Sequence, residues 1–385
     1  MFEFRLRPEK GGFSNGMKIL ILNWRDIKNP LSGGAEILTH ELSKRLVAEG
    51  HVVIQFSSRF DGSKEEEVID GVRIIREGNP DARTLLESVQ YKAYKRYKKE
   101  FSGKIDIVID EVHGIPFFTP FYVKEKKVAL ICEVAGNLWD IAVRFPFNIL
   151  GKIIERVYPF FYSGIKIITI SDSSKNELSK IGFDSSGIFV IPMGSNSTVV
   201  ERLPVKEKKE TLVFLSRISK SKGVEDAIRC VALLKKDFPN LILWIIGRGE
   251  GSLKKELDKL IRDLRVEDSI KFWSYVSEEK KQDLLTRAHI LIMPSLKEGW
   301  GLTIHEAGAR GTPAIVYNVS GLRNTVIDNI NGIICKVNTP EELAENTKKL
   351  LKNEGLYKRL QMGAISERKK HTWDATVEDF LNFIK

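Results

Sequence analysis

Cysteine, long apolar runs and a secretion signal are scarce or missing in this chain of 385 residues. Its three cysteines, Cys132, Cys230 and Cys335, are an odd number without close spacing, and each lies among apolar residues. We therefore predict buried thiols, with neither a disulfide nor a metal site. No apolar run approaches the roughly 20 residues that cross a bilayer, and Met1–Gly16 is too polar for a signal peptide. We expect a cytoplasmic protein.

Concentrated charge is missing as well, although the net charge is +10. Residues 206–385 hold 32 basic and 25 acidic residues, an excess of seven that is spread along the whole half. A nucleic-acid-binding protein needs a concentrated basic surface and a recognition motif, and neither is found. We expect no nucleic-acid partner, and we interpret the excess as ordinary solubility together with a phosphate-bearing ligand in the second half.

Two α/β domains are predicted from length and pattern. One hydrophobic core seldom serves more than about 250–300 residues, and short buried-strand patterns alternate with amphipathic helices along the chain. The segment Pro192–Lys209 carries Gly, Ser and Pro before a charged run, which is typical of a domain linker. We predict an N-terminal appendage at 1–16, a first domain at 17–200, a second domain at 201–370 and a final helix at 371–385.

The most specific motif is the stretch Glu298-Gly-Trp-Gly-Leu-Thr-Ile-His-Glu306. A short buried-strand pattern precedes it, so Glu298 is predicted on a loop at the carboxyl end of a strand and Glu306 on the helix that follows. Ligands of open α/β sheets bind at that end, and glycines let the backbone come close to them. Two surface glutamates and a turn are the alternative, but the spacing favours a binding site.

This stretch resembles the E-x7-E signature of retaining glycosyltransferases of the family 4 type. The resemblance implies an α/β fold with two Rossmann-like domains facing a central cleft (GT-B), and a last helix that returns to the first domain. It implies that Glu298 lies beside the transferred sugar as a catalytic residue, while Glu306 holds the ribose of the donor. The residues between them would also line the donor: Gly299, Trp300, Gly301 and Leu302.

A basic loop after the predicted strand Leu212–Leu215 matches the phosphate-binding pair of the same family, with Arg217 and Lys222 as the two cations. Two fixed positive charges at a strand end stabilise the negative charge that builds up on a departing diphosphate. A basic surface loop is the alternative interpretation. The resemblance implies a UDP- or GDP-linked sugar as co-substrate and a reaction without a metal or other cofactor.

The other donor-site predictions rest on glycine turns and one strand end. Gly33 and Gly34 close a turn before a predicted helix, where a phosphate can approach backbone N–H groups. Gly247 resembles the family's glycine turn after the second strand of this domain. The family binds the nucleotide base near the end of the next strand, which here implies Trp273 and Tyr275.

Polar residues at strand ends of the first domain are candidates for the acceptor side. His113 follows the strand predicted at Ile105–Ile109, and the resemblance implies a functional histidine in this loop, so we add it to the catalytic set. Glu111, Glu133 and Trp139 are assigned to the acceptor, and Asp110 is a weaker candidate. A turn residue is the plain alternative for His113.

Two further features predict an acceptor with an apolar portion. A long helix is predicted at Ala82–Phe101, and its apolar stripe lies opposite a basic face. The stripe is Leu86, Val89, Ala93 and Tyr97, and the face is Lys92, Lys95 and Lys99. The segment Trp139–Tyr162 mixes aromatic and basic residues. A solvated helix face and core packing are the plain alternatives, and contact with an anionic membrane is the sharper hypothesis.

Together these features predict a retaining hexosyltransferase that moves a sugar from a nucleotide-sugar to a hydroxyl acceptor. The acceptor is a lipid-linked glycan at the inner face of the membrane or, alternatively, a soluble sugar. A nucleotide-sugar epimerase of the same fold would isomerise the donor without any acceptor. A non-catalytic glycan-binding protein would neither bind nor cleave a nucleotide-sugar, and the two cations and two glutamates argue against it.

Overall fold

Runs of buried Ile, Leu and Val form the strands of two sheets in the computed structural model, which describes residues 16–79, 84–142, 145–249, 251–274 and 276–384. Along β1, alternate side chains point to opposite faces, so both faces need helices to cover them. Ile19 and Ile21 pack on one face of the first sheet, while Leu20 and Leu22 pack on the other. The prediction of two α/β domains is confirmed.

The first sheet has the order β3-β4-β2-β1-β5-β6-β7-β8 within the described residues, and all neighbours are parallel except β3 and β4. Its strands are β1 (Lys18–Leu22), β2 (Val52–Ser57), β3 (Glu66–Ile69), β4 (Val72–Arg76), β5 (Ile107–Glu111), β6 (Lys126–Leu130), β7 (Lys166–Thr169) and β8 (Ile188–Val190). Its helices are α1 (Gly34–Ala48), α2 (Val89–Arg96), α3 (Leu138–Ala142), α4 (Phe147–Phe161) and α5 (Asp172–Lys180).

The helix predicted at Ala82–Phe101 begins later than expected. The Ser88 hydroxyl accepts a hydrogen bond from the Tyr91 backbone N–H and caps α2 at Val89, and a π-helical turn, Tyr97–Phe101, continues it. Leu86 lies in a separate 3-10 turn and is exposed, so the predicted stripe is wrong at that residue. The rest of the stripe is buried. On the basic face, Lys95 and Lys99 are exposed and Lys92 is partly buried.

The second sheet is parallel throughout, with the order β11-β10-β9-β12-β13-β14 in the described part of the chain. Its strands are β9 (Thr211–Leu215), β10 (Ile242–Ile246), β11 (Ile270–Trp273), β12 (Ile290–Met293), β13 (Ala314–Val316) and β14 (Gly332–Ile334). The helices that follow in the chain are α6 (Val224–Leu234), α7 (Gly251–Leu264), α8 (Glu278–Arg287), α9 (Leu302–Ala309), α10 (Ser320–Thr325), α11 (Pro340–Lys352), α12 (Glu354–Lys370) and α13 (Trp373–Ile384).

Helix α13 leaves the second domain and packs on the first. Its buried side chains Trp373, Val377 and Phe380 belong to the same hydrophobic cluster as β1 and α1. The side chain of Arg368, near the end of α12, donates hydrogen bonds to the backbone carbonyls of Ser195 and Ser197. The segment 195–197, where the chain passes from the first domain to the second, is therefore hydrogen-bonded to the end of α12, where the chain returns.

The structure describes all three cysteines and the helices named above. Cys132, Cys230 and Cys335 are free and buried, as expected. Among the described residues, no helix is long and apolar enough to cross a membrane.

Candidate active site

Two loops of the second domain meet at the carboxyl end of its sheet and hold a cation beside a carboxylate. Gly223 starts α6 with a φ of +71°, and a Cβ at this position would lie 2.0 Å from the Pro294 carbonyl oxygen. Glycine is therefore required for the loop after β9 to reach the loop after β12. As a result, Lys222 Nζ lies 2.6 Å from Glu298 Oε1, which also accepts a hydrogen bond of 2.9 Å from the Ser295 hydroxyl.

Arg217 is exposed on the same loop as Lys222, so its guanidinium faces solvent at the strand end. Gly247 packs behind this loop, because a Cβ there would lie 1.9 Å from the Ser216 carbonyl oxygen. Its N–H donates to the Trp273 carbonyl at 3.2 Å. Gly247 thus fixes the distance between three strand ends and leaves the charged loop in front of them.

Glu306 on α9 pairs with a lysine that no motif marked. Lys281 Nζ on α8 lies 2.7 Å from Glu306 Oε1 and 2.8 Å from Glu278 Oε2. Burial raises the pKa of Glu306, and the charge and hydrogen bond of Lys281 oppose that rise. Burial likewise disfavours the charged form of Lys281, but its two carboxylate partners outweigh this and raise its pKa. Lys281 therefore holds the Glu306 carboxylate in one orientation.

The side chain of Trp300 does not face the cleft, which corrects its prediction as a donor contact. Its indole is 5% exposed and packs in the core cluster of the first domain, stacked on His305 with ring centroids 5.6 Å apart. Only the backbone of Trp300 is left for a ligand. Its neighbour Gly301 caps α9 with a φ of +110°, a conformation that favours glycine.

The first domain touches this motif at two glycines. A Cβ on Gly299 would lie 3.1 Å from the Cys132 carbonyl oxygen, and a Cβ on Gly34 would lie 3.7 Å from Leu302 Cδ1. The N–H of Gly33 donates to Glu36 Oε2 at 2.6 Å in a capping box, so it is already occupied. The N-terminal glycine loop and the E-x7-E loop therefore meet across the cleft.

Glu111 and Asp110 are the last residues of β5, not loop residues as predicted, and both are buried. Asp110 accepts hydrogen bonds from backbone and side chains of its own domain, so it is a structural residue. Glu111 Oε1 lies 2.8 Å from His113 Nε2, and its other oxygen accepts a hydrogen bond of 2.7 Å from Asn23 Nδ2. The strand end was placed too early because its last two residues are polar.

His113 reaches the cleft with its charged form favoured. Burial opposes this form, but the hydrogen bond and charge of Glu111, with the charges of Glu36 and Glu133, raise the pKa of His113. Its ring stacks on Trp24 with centroids 6.3 Å apart. Trp24 in turn lines a groove of about 970 Å³ at the ends of β1, β2 and β4, which also contains Arg25, Arg59 and Lys92.

Glu133 and Trp139 follow β6 and face different surroundings. Glu133 lies within electrostatic reach of Lys222 and Glu298 from the other domain, and burial raises its pKa while Lys222 opposes the rise. Trp139 packs its ring against Gly151 of α4 and near Gly114. Glu133 therefore faces charges of the second domain, as does Glu177 of α5, which pairs with Lys297, whereas Trp139 packs within the first domain.

Of the two predicted base-binding residues, the structure describes Trp273. Trp273 ends β11, and its ring packs edge-on against Trp244 at 6.3 Å with Lys271 Nζ 4.3 Å above it. The Trp273 indole is therefore packed against neighbouring side chains at the strand end rather than left free for a base to stack on. Tyr275 lies outside the described residues.

Two Rossmann-like domains that face one cleft, with lysine-carboxylate pairs at the strand ends of one of them, define a GT-B glycosyltransferase. Two family models agree with this class: "Glycosyltransferase Family 4" matches residues 32–198, and "Glycosyl transferases group 1" matches residues 196–367. The two matches together span residues 32–367, so the chain belongs to the glycosyltransferases whose two domains these models describe.

Some relatives are distant in sequence but cover nearly the whole chain. An uncharacterized glycosyltransferase of Methanocaldococcus jannaschii is 24% identical over 389 residues, which covers 96% of this chain and 98% of that protein. The solved sucrose-phosphate synthase of Thermosynechococcus elongatus has a TM-score of 0.80 at 18% identity, with 95% of this chain and 98% of that chain covered. Anabaena HepE, solved in complex with UDP and glucose, has a TM-score of 0.73 at 15% identity, with coverages of 96% and 99%.

Proposed function

We propose that this glycosyltransferase moves a hexose from a nucleotide-sugar to a hydroxyl acceptor with retention of configuration and without a metal ion. The observation that carries the proposal is the contact of 2.6 Å between Lys222 and Glu298 at the mouth of the cleft. This contact supports the proposal because the lysine can bind a leaving phosphate while the carboxylate beside it can lie next to the sugar. The UDP complex of Anabaena HepE supports a nucleotide-sugar donor.

The donor is expected to lie along the strand ends of the second domain. Arg217 and Lys222 bind the diphosphate and stabilise the charge that builds up on it as the glycosidic bond breaks. Glu306, held by Lys281, accepts hydrogen bonds from the ribose hydroxyls. Glu298 then lies beside the sugar, where its negative charge stabilises the positive charge that develops at the ring.

The acceptor is expected to approach from the first domain. The groove beside Trp24 has room for a sugar, and the His113 ring stacks on the Trp24 ring that lines it. For retention, the acceptor hydroxyl attacks from the face that the phosphate leaves. A phosphate oxygen next to Lys222 is then near enough to take the proton of the attacking hydroxyl, and His113 orients the sugar.

We propose a lipid-linked glycan at an anionic membrane as the acceptor, with a soluble sugar as the alternative. Exposed Lys95 and Lys99 on the first domain support a surface that faces anionic headgroups. An epimerase of the same fold is the second candidate, because it would use the same donor contacts.

The test is incubation with UDP-, GDP- and ADP-linked hexoses, with and without EDTA, and with bacterial lipid extracts or soluble sugars as acceptors. We expect nucleoside diphosphate release that depends on one donor, survives EDTA and yields a product with the donor's anomeric configuration by NMR. An isomerised donor without an acceptor product would establish the epimerase. An inverted product, or loss of activity with EDTA, would overturn the retaining or the metal-independent part.

A further inference from the structure

The outward face of α4 is apolar along the helix. Five exposed apolar side chains share one side at helical spacing: Ile149, Leu150, Ile153, Val157 and Phe160. Phe160 is 81% exposed and Ile153 is 54% exposed. The opposite side of the helix, with Glu155 and Tyr158, is buried against the first domain. The helix therefore covers the domain with one side and presents large apolar groups to its surroundings with the other.

The apolar surface continues beyond the helix through aromatic contacts. The ring of Phe161 lies 5.8 Å from that of Phe160 and 5.4 Å from that of Phe121, which is 66% exposed. At the other end of α4, Phe147 is 65% exposed. We call α4 with Phe121 the α4 face. Contiguous apolar surfaces of this kind mark sites where a protein meets another apolar phase or partner.

Cations border the α4 face. Within α4 itself, Lys152 and Arg156 flank the apolar side, and the one carboxylate of the helix, Glu155, turns inward to accept hydrogen bonds from the backbone N–H groups of residues 135 and 136. Asp140 pairs with Lys152 at the edge. Because Asp140 neutralises Lys152, Arg156 supplies the net positive charge on this border.

A second basic group adjoins the α4 face through tyrosines. Tyr122 follows Phe121 in the chain, and its ring contacts those of Tyr94 at 5.2 Å and Tyr97 at 5.4 Å. The lysines around these two tyrosines are exposed: Lys95, Lys98 and Lys99. Of the neighbouring acids, Glu100 forms ion pairs with Arg73 and Arg96. Glu125 accepts hydrogen bonds from the Tyr97 hydroxyl and from the Gly103 backbone N–H.

We propose that the α4 face inserts into the headgroup region of an anionic lipid bilayer, with the bordering lysines and arginine against its phosphates. Amphipathic helices with apolar side chains outward and cations at the border bind such membranes in two ways: they bury apolar area, and their cations attract the anionic headgroups. A second copy of the chain fits less well, because a two-fold contact between identical α4 faces would bring the Arg156 side chains of both copies into one interface.

The insertion also explains how a lipid-linked acceptor reaches the cleft, a point that rests on the proposed function. The Glu155 carboxylate bonds α4 to residues 135 and 136, which follow Glu133 in the loop after β6. Helix α3, between that loop and α4, packs Trp139 against Gly151. These contacts lie on the inward side of α4, so a bilayer seated on its outward side is about one helix diameter, roughly 10 Å, from the loop that carries Glu133.

The test uses co-sedimentation of the full chain with vesicles of phosphatidylcholine alone and of phosphatidylcholine with phosphatidylglycerol. We expect binding to the anionic vesicles, and a loss of about tenfold or more in the variant Ile149→Ser/Ile153→Ser/Phe160→Ser, because its apolar insertion is removed. The matched control changes three exposed apolar residues of the second domain: Leu233→Ser/Val337→Ser/Met362→Ser. This control should bind the vesicles as the unchanged protein does.

A charge variant separates the two contributions. Lys95→Glu/Lys98→Glu/Lys99→Glu should weaken binding to anionic vesicles several-fold at low salt, and the difference should shrink at high salt because screening removes it. Wild-type binding by the serine variant of the α4 face, or no binding to anionic vesicles at low salt, would overturn the proposal. Self-association in sedimentation velocity that the serine variant abolishes, without vesicle binding, would assign the face to a second copy instead.

The experiment also separates this inference from the proposed function. Release of nucleoside diphosphate by donor hydrolysis needs the cleft but not the bilayer, so the serine variant should keep it. Hydrolysis without vesicle binding overturns the membrane surface and leaves the transferase intact. Vesicle binding by a protein that neither cleaves nor transfers any nucleotide-sugar overturns the proposed function and leaves the surface.

Discussion

The two sides of the cleft place their polar groups in different ways. In the second domain, Lys222 and Glu298 extend from loops and keep 19% and 12% of their side chains exposed. In the first domain, Glu111 is fully buried at a strand end and reaches the cleft only through His113. The second domain therefore presents charges directly to a ligand, whereas the first domain builds a hydrogen-bonded network behind His113. Variants that remove charge should affect activity on one side and stability on the other.

The largest effect is expected for Glu298→Gln. This change keeps the shape of the side chain but removes the charge beside the sugar, so turnover should fall roughly 10²- to 10³-fold, while nucleoside diphosphate still binds. Steady-state kinetics and calorimetry measure the two quantities. The matched control is Glu256→Gln, which removes an exposed carboxylate paired with Lys220 at 2.8 Å and should leave turnover unchanged. A Glu298→Gln enzyme with wild-type turnover would move the catalytic role to another residue, such as His113.

The next largest effect tests whether Arg217 and Lys222 bind the phosphates of the donor. Lys222→Met and Arg217→Ala should each weaken nucleoside diphosphate binding about tenfold or more, because a charge-assisted hydrogen bond is worth about 1.5–3 kcal/mol. Lys220→Met changes a neighbouring lysine that pairs with Glu256, and its affinity should stay near the wild-type value. Calorimetry with UDP, GDP and ADP gives the affinities. Equal affinities in all three variants would show that the phosphates bind elsewhere.

On the other side of the cleft, Glu111→Gln should cost stability. Glu111 takes hydrogen bonds from Asn23, Thr39 and His113, and an amide reproduces only part of this set. We expect the free energy of unfolding to fall by about 1–3 kcal/mol, whereas Glu298→Gln should change it little. Urea unfolding of both variants tests the contrast between the domains. An unchanged free energy of unfolding in Glu111→Gln would mean that the network does not stabilise the first domain.

Sequence patterns predicted the alternation of strands and helices and the charged loops of the second domain because these depend on local signals. A buried run ends in a glycine turn, and Gly223 or Gly301 then fixes where the next side chain points. The strand β3 was not predicted, although Asp70-Gly71, with φ values of 49° and 81°, forms a tight hairpin between β3 and β4 that an Asp-Gly pair favours. The Asp-Gly pair is therefore the local sequence signal for β3.

Other features of the site could not be derived from spacing. Lys281 supports Glu306 from another helix, 25 residues away, and its place depends on how α8 packs on α9. The resemblance placed Trp300 along the donor, but its side chain is buried by the first domain. Contacts that cross between elements distant in the chain leave no local pattern.

The smallest effect concerns the junction that joins the two sides. His305 of α9 lies in the interface with Trp300, and its ring is 4.5 Å from that of His371. Burial lowers the pKa of His305 well below its usual value, and the charges of His371 and Arg368 lower it further. In the unfolded chain the pKa returns to about 6.5, so below that pH the unfolded state binds the extra proton. The folded state therefore loses stability as pH falls below about 6.5, by up to about 1.4 kcal/mol per pH unit for this histidine. The variant His305→Phe has no such proton to bind, so its free energy of unfolding should depend less on pH between pH 7.5 and 5.5. Urea unfolding across this range measures the dependence. Equal slopes for the variant and the wild type would contradict a neutral, buried His305.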